Sequence, residues 1–488
     1  MRVRIPLGAM RSFITTSIPY VNDSPHIGHI YEFIIADIFA RYKRLKGEEV
    51  FFQSGTDENG LKMVKTAEEK GKNVKEYVDE KFSEFYELKD KFNISFDKFI
   101  RTTSEEHKLG VYKFWKLCEN DIYIGHYRGY YCISCESYYE KSEAPDLICP
   151  IHKKKLEKLE EKNYFFKLTK YLDEIKKLIE EDKIKIYPQE KKIEILNILR
   201  EGKIKDLSIS RDAKRSKGWG IPVNNDNSQV IYVWFDALLN YLTGLGFGSN
   251  DESLFEKFWN KGIVYHFIGK DIVKFHAIYW PAMLLSAKIK PPENIVVHYH
   301  ITIEGEKMSK TLGNVISPDD FLSKYPYEAV RFYLAHQPIF SDWDFSWSHF
   351  NEVYEGILKK DLANLILRIF GILRKIDFSE IDINKNYIQE EINNITSQFE
   401  KEFKNFEFNS AYNKGLELVH KLNQLIDYKK IWKSNKEEDF SSLVKGLLTI
   451  LQIYEPLLPE TISKIKDKLE IKNNIFFNKK LIFQPFYK

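Results

Sequence analysis

The chain has 488 residues, 43% hydrophobic and 30% charged, which predicts two to four domains and excludes a small binding module or a chain disordered as a whole. Lysine and arginine number 74 against 71 acidic residues, a formal net charge of +3, so total charge announces no nucleic-acid partner. Only four cysteines and no bilayer-length apolar run predict a reducing, cytoplasmic compartment and no membrane partner.

Residues 1–10 carry two arginines and no acid but lack the apolar core of a signal peptide, so they read as a non-native or disordered extension, with Met10 the expected start. A buried strand over 12–20, a turn-rich loop through Pro25 and an amphipathic helix over 26–46 predict an α/β nucleotide-binding domain. A second strand over 49–53 ends in Gly55-Thr56-Asp57-Glu58-Asn59-Gly60, where α/β sheets place ligands, and helices run on to about 120. Clustered Tyr, Gly and Cys over 125–150 mark an insertion, followed by a charged helical stretch over 153–200. Strands over 229–235, 264–269 and 295–303 resume the same parallel sheet. Beyond Trp347 the pattern is helical to the end, an appended all-α bundle.

His26-Ile27-Gly28-His29 stands at the loop-to-helix junction after the first strand, where unpaired amides and the helix dipole attract phosphate. Gly28 removes a Cβ, so a flat base can approach the backbone; a pair of solvent-facing histidines is the plain alternative. Lys307-Met308-Ser309-Lys310-Thr311 lies between Gly305 and Gly313 and carries two cations. Cys132-x2-Cys135 and Cys149-x2-His152 give three thiolates and one imidazole in two close pairs, a tetrahedral pattern for one structural Zn²⁺ with no open position. Cys118, outside the pattern, reads as a buried thiol.

The His26 and Lys307 segments together resemble the HIGH and KMSKS signatures of class I aminoacyl-tRNA synthetases. The resemblance implies an α/β Rossmann-like parallel sheet split by the zinc-knuckle insertion and followed by an all-α anticodon-binding bundle. Over the chain that places the first catalytic half at 11–120, the insertion at 121–215 and the second half at 216–305. The KMSKS loop with its stem-contact region then takes 306–348, and the bundle 349–488. It also implies amino-acid activation by ATP with Mg²⁺, with His26, His29, Lys307 and Lys310 stabilising charge on the departing pyrophosphate. ATP contacts extend to Gly28, Met308 and Ser309. Glu32, Gly269 and Asp271 match positions that meet the ribose, a plain helix-surface glutamate being the alternative for Glu32.

Three further segments are similar to the methionyl-tRNA synthetase family: Ile18-Pro19-Tyr20, Tyr232-Val233-Trp234-Phe235-Asp236-Ala237, and Phe267-Ile268-Gly269-Lys270-Asp271 continuing through Phe275-His276 to Trp280-Pro281-Ala282-Met283. By position, Ile18, Tyr20, Trp234, Ala237, Leu238, Tyr241, Ile272, Phe275 and His276 would surround the thioether of L-methionine, and Asp57 would hold its α-ammonium. Asn364, Arg368 and Trp432 match the residues that read the CAU anticodon of initiator and elongator tRNA(Met). Four positions depart from the family: Asn59 where His is commoner, Thr311 for the final Ser, Ile431 for the Pro before the tryptophan, and Lys360 for a second asparagine. No OB-like domain follows, so a monomer is expected. The competing readings are another class I synthetase, a non-catalytic tRNA-binding paralogue and a nucleotidyltransferase with no tRNA step.

Overall fold

From Ser12 to Thr16 every residue of the first strand is buried, the pattern of an inner strand in a parallel sheet covered on both faces. The computed structural model describes residues 10–132, 137–139, 141, 144–150, 153–308 and 313–477. The chain divides into two units, Met1–Ala36 with Lys43–His298 and Asp37–Tyr42 with Tyr299–Lys488. No described helix is long and apolar enough to cross a membrane.

Strands of the first unit follow in the order β1 (Arg11–Thr16), β2 (Glu49–Thr56), β3 (Lys98–Arg101), β4 (Ile122–Cys132), β5 (Ser137–Tyr139), β6 (Glu157–Phe166) and β7 (Lys185–Tyr187). After them come β8 (Leu207–Ser208), β9 (Ser210–Asp212), β10 (Pro222–Val223), β11 (Asp226–Ile231), β12 (Ile263–Gly269) and β13 (Asn294–His298). Six form an all-parallel sheet in the order β3-β2-β1-β12-β13-β7. Strand order reverses between β1 and β12, the crevice where such sheets bind ligands beyond their carboxyl ends. Gly55 is required in β2, because a Cβ there would stand 2.2 Å from the Ile100 carbonyl oxygen of β3.

The structure corrects several sequence expectations. The stretch 153–200 is not helical throughout: β6 pairs antiparallel with β4 over ten positions, from Ile122↔Phe166 to Tyr131↔Glu157. Its Glu and Lys suggest a helix, but the ladder with β4 decides, and Glu160 meets its cross-strand partner Arg128 Nε at 2.7 Å. From the same stretch, β7 is an edge of the parallel sheet. The strand expected over 229–235 stops at Ile231, lies in an antiparallel sheet β10-β11-β9, and gives way to the helix Val233–Leu238. The run 295–303 is broken at residues 299–300 into two strands of different sheets. The short strand β3 was hidden among the helices expected before 120.

In the second unit β14 (Ile301–Ile303), β15 (Glu306–Lys307) and β16 (Trp343–Phe345) form one small sheet, ordered β15-β14-β16. Helices over 347–373 and at Gln389–Lys404, Phe408–Lys429 and Glu437–Tyr454 follow. Gln389–Lys404 buries Ile392, Ile395, Phe399 and Phe403, one stripe at helical spacing. The last described residues are not helical as expected: β18 (Glu470–Lys472) and β19 (Ile475–Phe477) join the earlier β17 (Glu380–Asp382) in a sheet ordered β17-β19-β18.

One helix, Tyr327–Ala335, grips the turn before the helix Pro459–Lys466 with two opposite charges. Buried Arg331 donates from Nε to the Leu457 carbonyl at 3.0 Å and from Nη2 to the Pro456 carbonyl at 2.8 Å and to Asp37 Oδ2 at 2.7 Å. Glu328 accepts the Glu460 and Thr461 N–H groups at 2.8 and 3.1 Å. Arg331→Ala strands two carbonyls and part of the Asp37 charge in the interior and should cost about 3 kcal/mol. A urea midpoint equal to that of the unaltered chain would contradict it.

Candidate active site

Past β1 the chain reaches the helix Ile27–Leu45, and His26 stands just before its first turn. His26 Nδ1 accepts the Gly28 N–H at 3.1 Å, so the ring caps an amide that the helix leaves unpaired. His29 Nδ1 accepts the His26 N–H at 3.2 Å, and the two rings stack with centroids 3.9 Å apart. An Nδ1 that accepts a backbone N–H carries no proton in the neutral ring, so each imidazole holds its proton on Nε2. Burial keeps both neutral: it lowers the pKa of His26 to about 4 against the opposing pull of Asp23. His29 is held well below its ordinary value by burial and then by His26. An anion at this helix start therefore meets two neutral N–H donors beside the backbone amides.

Glu32 is not on the helix surface. It is buried, with Oε1 accepting both the N–H and the O–H of Ser17 at 2.6 Å and Oε2 lying 2.7 Å from His298 Nε2. Gly269 closes β12 beside His298, where a Cβ would stand 3.7 Å from the imidazole. Asp271 follows on an exposed turn, Lys270–Ile272.

Trp234, Ala237, Leu238 and Tyr241 recur at helical spacing over Val233–Leu238 and Asn240–Thr243, and Ile272, Phe275 and His276 repeat the i, i+3, i+4 pattern. The two rows meet: Trp234 stacks on Phe275 with centroids 3.7 Å apart and planes 7° from parallel, and the Tyr241 hydroxyl lies 2.8 Å from His276 Nε2. His276 Nδ1 faces the Ile272 carbonyl at 3.0 Å, which can only accept, so the proton sits on Nδ1 and the tyrosine donates to Nε2. Burial lowers the His276 pKa to about 4 and raises that of Tyr241 far above its ordinary value. The buried Trp234 Nε1–H has no hydrogen-bond partner among the described residues. Ile18 and Tyr20 are half-buried on the segment leaving β1, and Tyr20 bridges to Asp57, whose N–H donates to the Pro19 carbonyl at 2.9 Å.

Within Asp57-Glu58-Asn59 the three side chains divide their tasks. Asp57 is a buried carboxylate beside Tyr20. Glu58 is structural, taking Arg101 Nε at 2.7 and 3.0 Å and the Thr56 hydroxyl at 2.7 Å. Asn59 donates from Nδ2 to Asp236 Oδ2 at 3.1 Å and to the Thr102 carbonyl at 3.2 Å, which fixes the start of the Trp234 helix.

In the second unit Lys307 ends β15 and Met308 is half-buried. Ser309, Lys310 and Thr311 lie outside the described residues. Asn364 is exposed at the start of Asn364–Leu373, and Arg368 sits one turn on. Lys430 takes a left-handed φ of 48°, ends the helix Phe408–Lys429 and turns the chain into Ile431–Lys433, leaving Trp432 48% exposed. The Arg368 guanidinium stands 5.8 Å from the Trp432 ring centre and bonds Asn423 Oδ1 at 3.2 Å and the Asp427 carboxylate. Asp427 is held below its ordinary pKa by that guanidinium. A groove of about 700 Å³ adjoins them, lined also by Arg374, Lys375, Phe378 and Asn435.

Cys132 and Cys149 are buried and share one small apolar cluster with Ala144 and Leu156. The loop carrying Cys149 is closed by Cys149 N–H on the Lys154 carbonyl and Leu156 N–H on the Leu147 carbonyl, both 2.8 Å. Cys135 and His152 lie outside the described residues, among which no group of three metal-binding side chains occurs. Two thiols converging on a cluster this small fit a metal that supplies what the core lacks. Cys118 is buried, and burial pushes its thiol up to about 12.

Sequence reasoning missed Ser17, His298, Thr15 and His266. The only signal was polarity inside apolar strand runs, as in Tyr265-His266-Phe267-Ile268.

A family model described as tRNA synthetases class I (M) matches residues 12–156 and 140–370. The chain is 37% identical over 481 residues to a methionine–tRNA ligase of Fusobacterium nucleatum, covering 95% of this chain and 75% of that protein. A Campylobacter jejuni protein of the same description is 39% identical over 481 residues, covering 95% and 74%. Among solved structures, Mycobacterium tuberculosis methionyl-tRNA synthetase in complex with methionyl-adenylate superposes with a TM-score of 0.87 at 30% identity, covering 95% of each chain.

Buried neutral histidines make stability depend on pH. His26 and His276 are lowered to about 4 and His107 to about 3, all by burial, whereas an unfolded histidine takes a proton near about 6.5. Between those values the unfolded chain binds more protons than the native one, so stability is complete above about 6.5 and falls as the pH drops towards about 4. Urea midpoints should decline from pH 7.5 to pH 5; a flat series would exclude neutral burial of these rings.

Proposed function

Because the chain belongs to the methionine-specific class I tRNA synthetases, we propose that its paired histidines, its aromatic pocket and its helical end perform the three parts of that reaction. The enzyme activates L-methionine with ATP to methionyl-adenylate and pyrophosphate, then transfers methionine to tRNA. In the first step the methionine carboxylate attacks the α-phosphate and the bond to pyrophosphate breaks. In the second a terminal ribose hydroxyl of tRNA attacks the activated carbonyl and AMP leaves.

The observation that carries the assignment of roles is the stacked His26–His29 pair, with both Nδ1 atoms tied to backbone amides. Their Nε2–H groups are aimed donors that gain strength as charge grows on the phosphates, the condition for stabilising a transition state above a ground state. Lys307 and Lys310 add cationic charge to the same phosphates, with Met308 and Ser309 contacting ATP. Mg²⁺, when bound with ATP, would offset negative charge on the phosphates. Gly28 admits the base, while Glu32, Gly269 and Asp271 meet the ribose. Glu32 Oε2 keeps a lone pair for a ribose hydroxyl beyond its bond to His298, whereas both positions of Oε1 are taken by Ser17.

Methionine enters a pocket of Ile18, Tyr20, Trp234, Ala237, Leu238, Tyr241, Ile272, Phe275 and His276. Aromatic faces suit its polarizable sulfur, and Asp57 pairs with its ammonium. The tRNA partner is tRNA(Met), its CAU anticodon read by Asn364 and Arg368 with Trp432 as the stacking plane. Cys132, Cys135, Cys149 and His152 hold one structural Zn²⁺, which when bound cross-links the insertion. These thiols suit the reducing cytoplasm.

Pyrophosphate exchange and tRNA charging, measured side by side, separate these roles. Lys310→Ala should slow methionine-dependent exchange by about 100-fold or more, the scale of losing one transition-state donor. Trp432→Ala should leave exchange intact and lower charging by about tenfold or more, the scale of losing one stacked base. Equal damage to both assays by Trp432→Ala would remove the bundle from anticodon reading. Elemental analysis should find one zinc per chain, lost in Cys149→Ser; a folded, active protein without zinc would end that assignment.

A further inference from the structure

An RNA loop carries its identity on its bases and its charge on its phosphates, and the groove beside Trp432 is charged to meet the second. Over the whole chain acids and bases nearly cancel, 71 against 74. The two stretches that wall this groove do not share that balance. Residues 362–376 hold Arg368, Arg374 and Lys375 and no acid, and residues 428–436 hold Lys429, Lys430, Lys433 and Lys436 and no acid. Two of these cations are paired with carboxylates from outside their stretch, Arg368 with Asp427 and Lys429 with Asp439 at 3.8 Å. Arg374, Lys375 and Lys433 are exposed, and their side chains have no ion pair or hydrogen bond among the described residues.

Arg374 and Lys375 follow the last turn of Asn364–Leu373, and Lys433 ends the short turn after Phe408–Lys429. Free carbonyls at a helix end draw cations, which accounts for positive charge on each wall. Like charges gathered around one groove nevertheless repel unless an anion lies among them. Of the groove's lining only Asp377 is a carboxylate. The rest includes Ile372, Ile376, Phe378 and Phe440, the two phenyl rings 5.6 Å apart, with Trp432 half exposed at the edge. Apolar and aromatic surface inside a cationic rim suits a ligand with a flat base on one side and an anion on the other, which is the make-up of a nucleotide.

We propose that Arg374, Lys375 and Lys433 bind the phosphate backbone of the nucleotides flanking the three anticodon bases, and so supply affinity that is independent of sequence. This rests on the reading that Asn364, Arg368 and Trp432 meet the anticodon. Phosphate contacts fix the register of a loop and carry no base information, so the two sets of residues divide affinity from identity.

The test is binding of tRNA(Met), and of the same tRNA with one anticodon base changed, followed by fluorescence anisotropy over a series of salt concentrations. Each phosphate contact to a single strand adds about 0.7 to the slope of log affinity against log salt. Arg374→Gln, Lys375→Gln and Lys433→Gln combined should therefore shallow that slope by about 2. Between about 50 and 200 mM salt this variant should lose about 20-fold less affinity than the unaltered chain. Its preference for CAU over the changed anticodon should persist. Arg374→Lys, Lys375→Arg and Lys433→Arg combined keep the charges and should keep the slope. The proposal is overturned if the glutamine variant retains the full slope, or if its CAU preference falls together with its affinity. Trp432→Ala is the control for the underlying reading. An intact CAU preference there would dismiss anticodon reading by the bundle, while a lost preference there beside a full slope in the glutamine variant would dismiss only the phosphate contacts.

Discussion

A single carboxylate fixes the floor of the candidate site. Glu32 reaches from the helix Ile27–Leu45 to Ser17, just past β1, with one oxygen and to His298, at the end of β13, with the other. Between those strands runs β12, ending in Gly269. A charge buried this deeply is tolerated only when its lone pairs are taken up, and here the partners are a backbone amide, a hydroxyl and an imidazole. The bonds that settle this desolvation also set the relative height of the strand ends, and the helix supplying the carboxylate begins just after His26. The stacked histidines and the strand ends thus share one scaffold.

The proposed amino-acid pocket is suspended in the same way. Its two short helices carry Trp234 and Tyr241, and their polar residues bond to β2 and to segments beside it. Gln53 Nε2 donates to the Asn240 carbonyl at 2.8 Å and to its side-chain oxygen at 3.0 Å, His107 Nδ1 lies 2.8 Å from the Thr243 hydroxyl, and Asn59 holds Asp236. Apolar packing alone would let a short helix slide or roll, since dispersion has little angular preference. Buried directional bonds remove that freedom, and every one unmade would cost a desolvated polar group. At Asn59, a departure from the family's commoner histidine, the amide does this anchoring without a titrating ring.

What could be read from the sequence was local. The burial run of β1, the histidine pair at a helix start and the helical spacing of the bundle follow from a few consecutive residues. Hidden features depend on partners far along the chain. Glu157–Phe166 has helix-like composition and becomes a strand because β4 offers it a ladder of ten paired positions; β7 has three residues and is a strand only because β13 lies beside it. The same holds in the site. His266 looks like a stray polar residue in an apolar strand until Thr15 and Trp280 are seen at its two nitrogens, and Glu32 looks like surface until Ser17 and His298 close around it.

Two arginines of the second unit show how burial separates a fixed structural role from the proposed base-reading one when the chemistry is identical. Arg331 is fully buried, spends its guanidinium on two carbonyls and the buried Asp37, and cannot leave without stranding them. Arg368 also holds an aspartate, but Asp427 is largely exposed, so water and salt compete for the pair and its release exposes nothing to a dry interior. Asn423 and Asp427 orient the guanidinium beside Trp432 and can surrender it. A base stacked on that indole would find a planar donor set already turned towards it, at the cost of an ion pair that solvent has made weak.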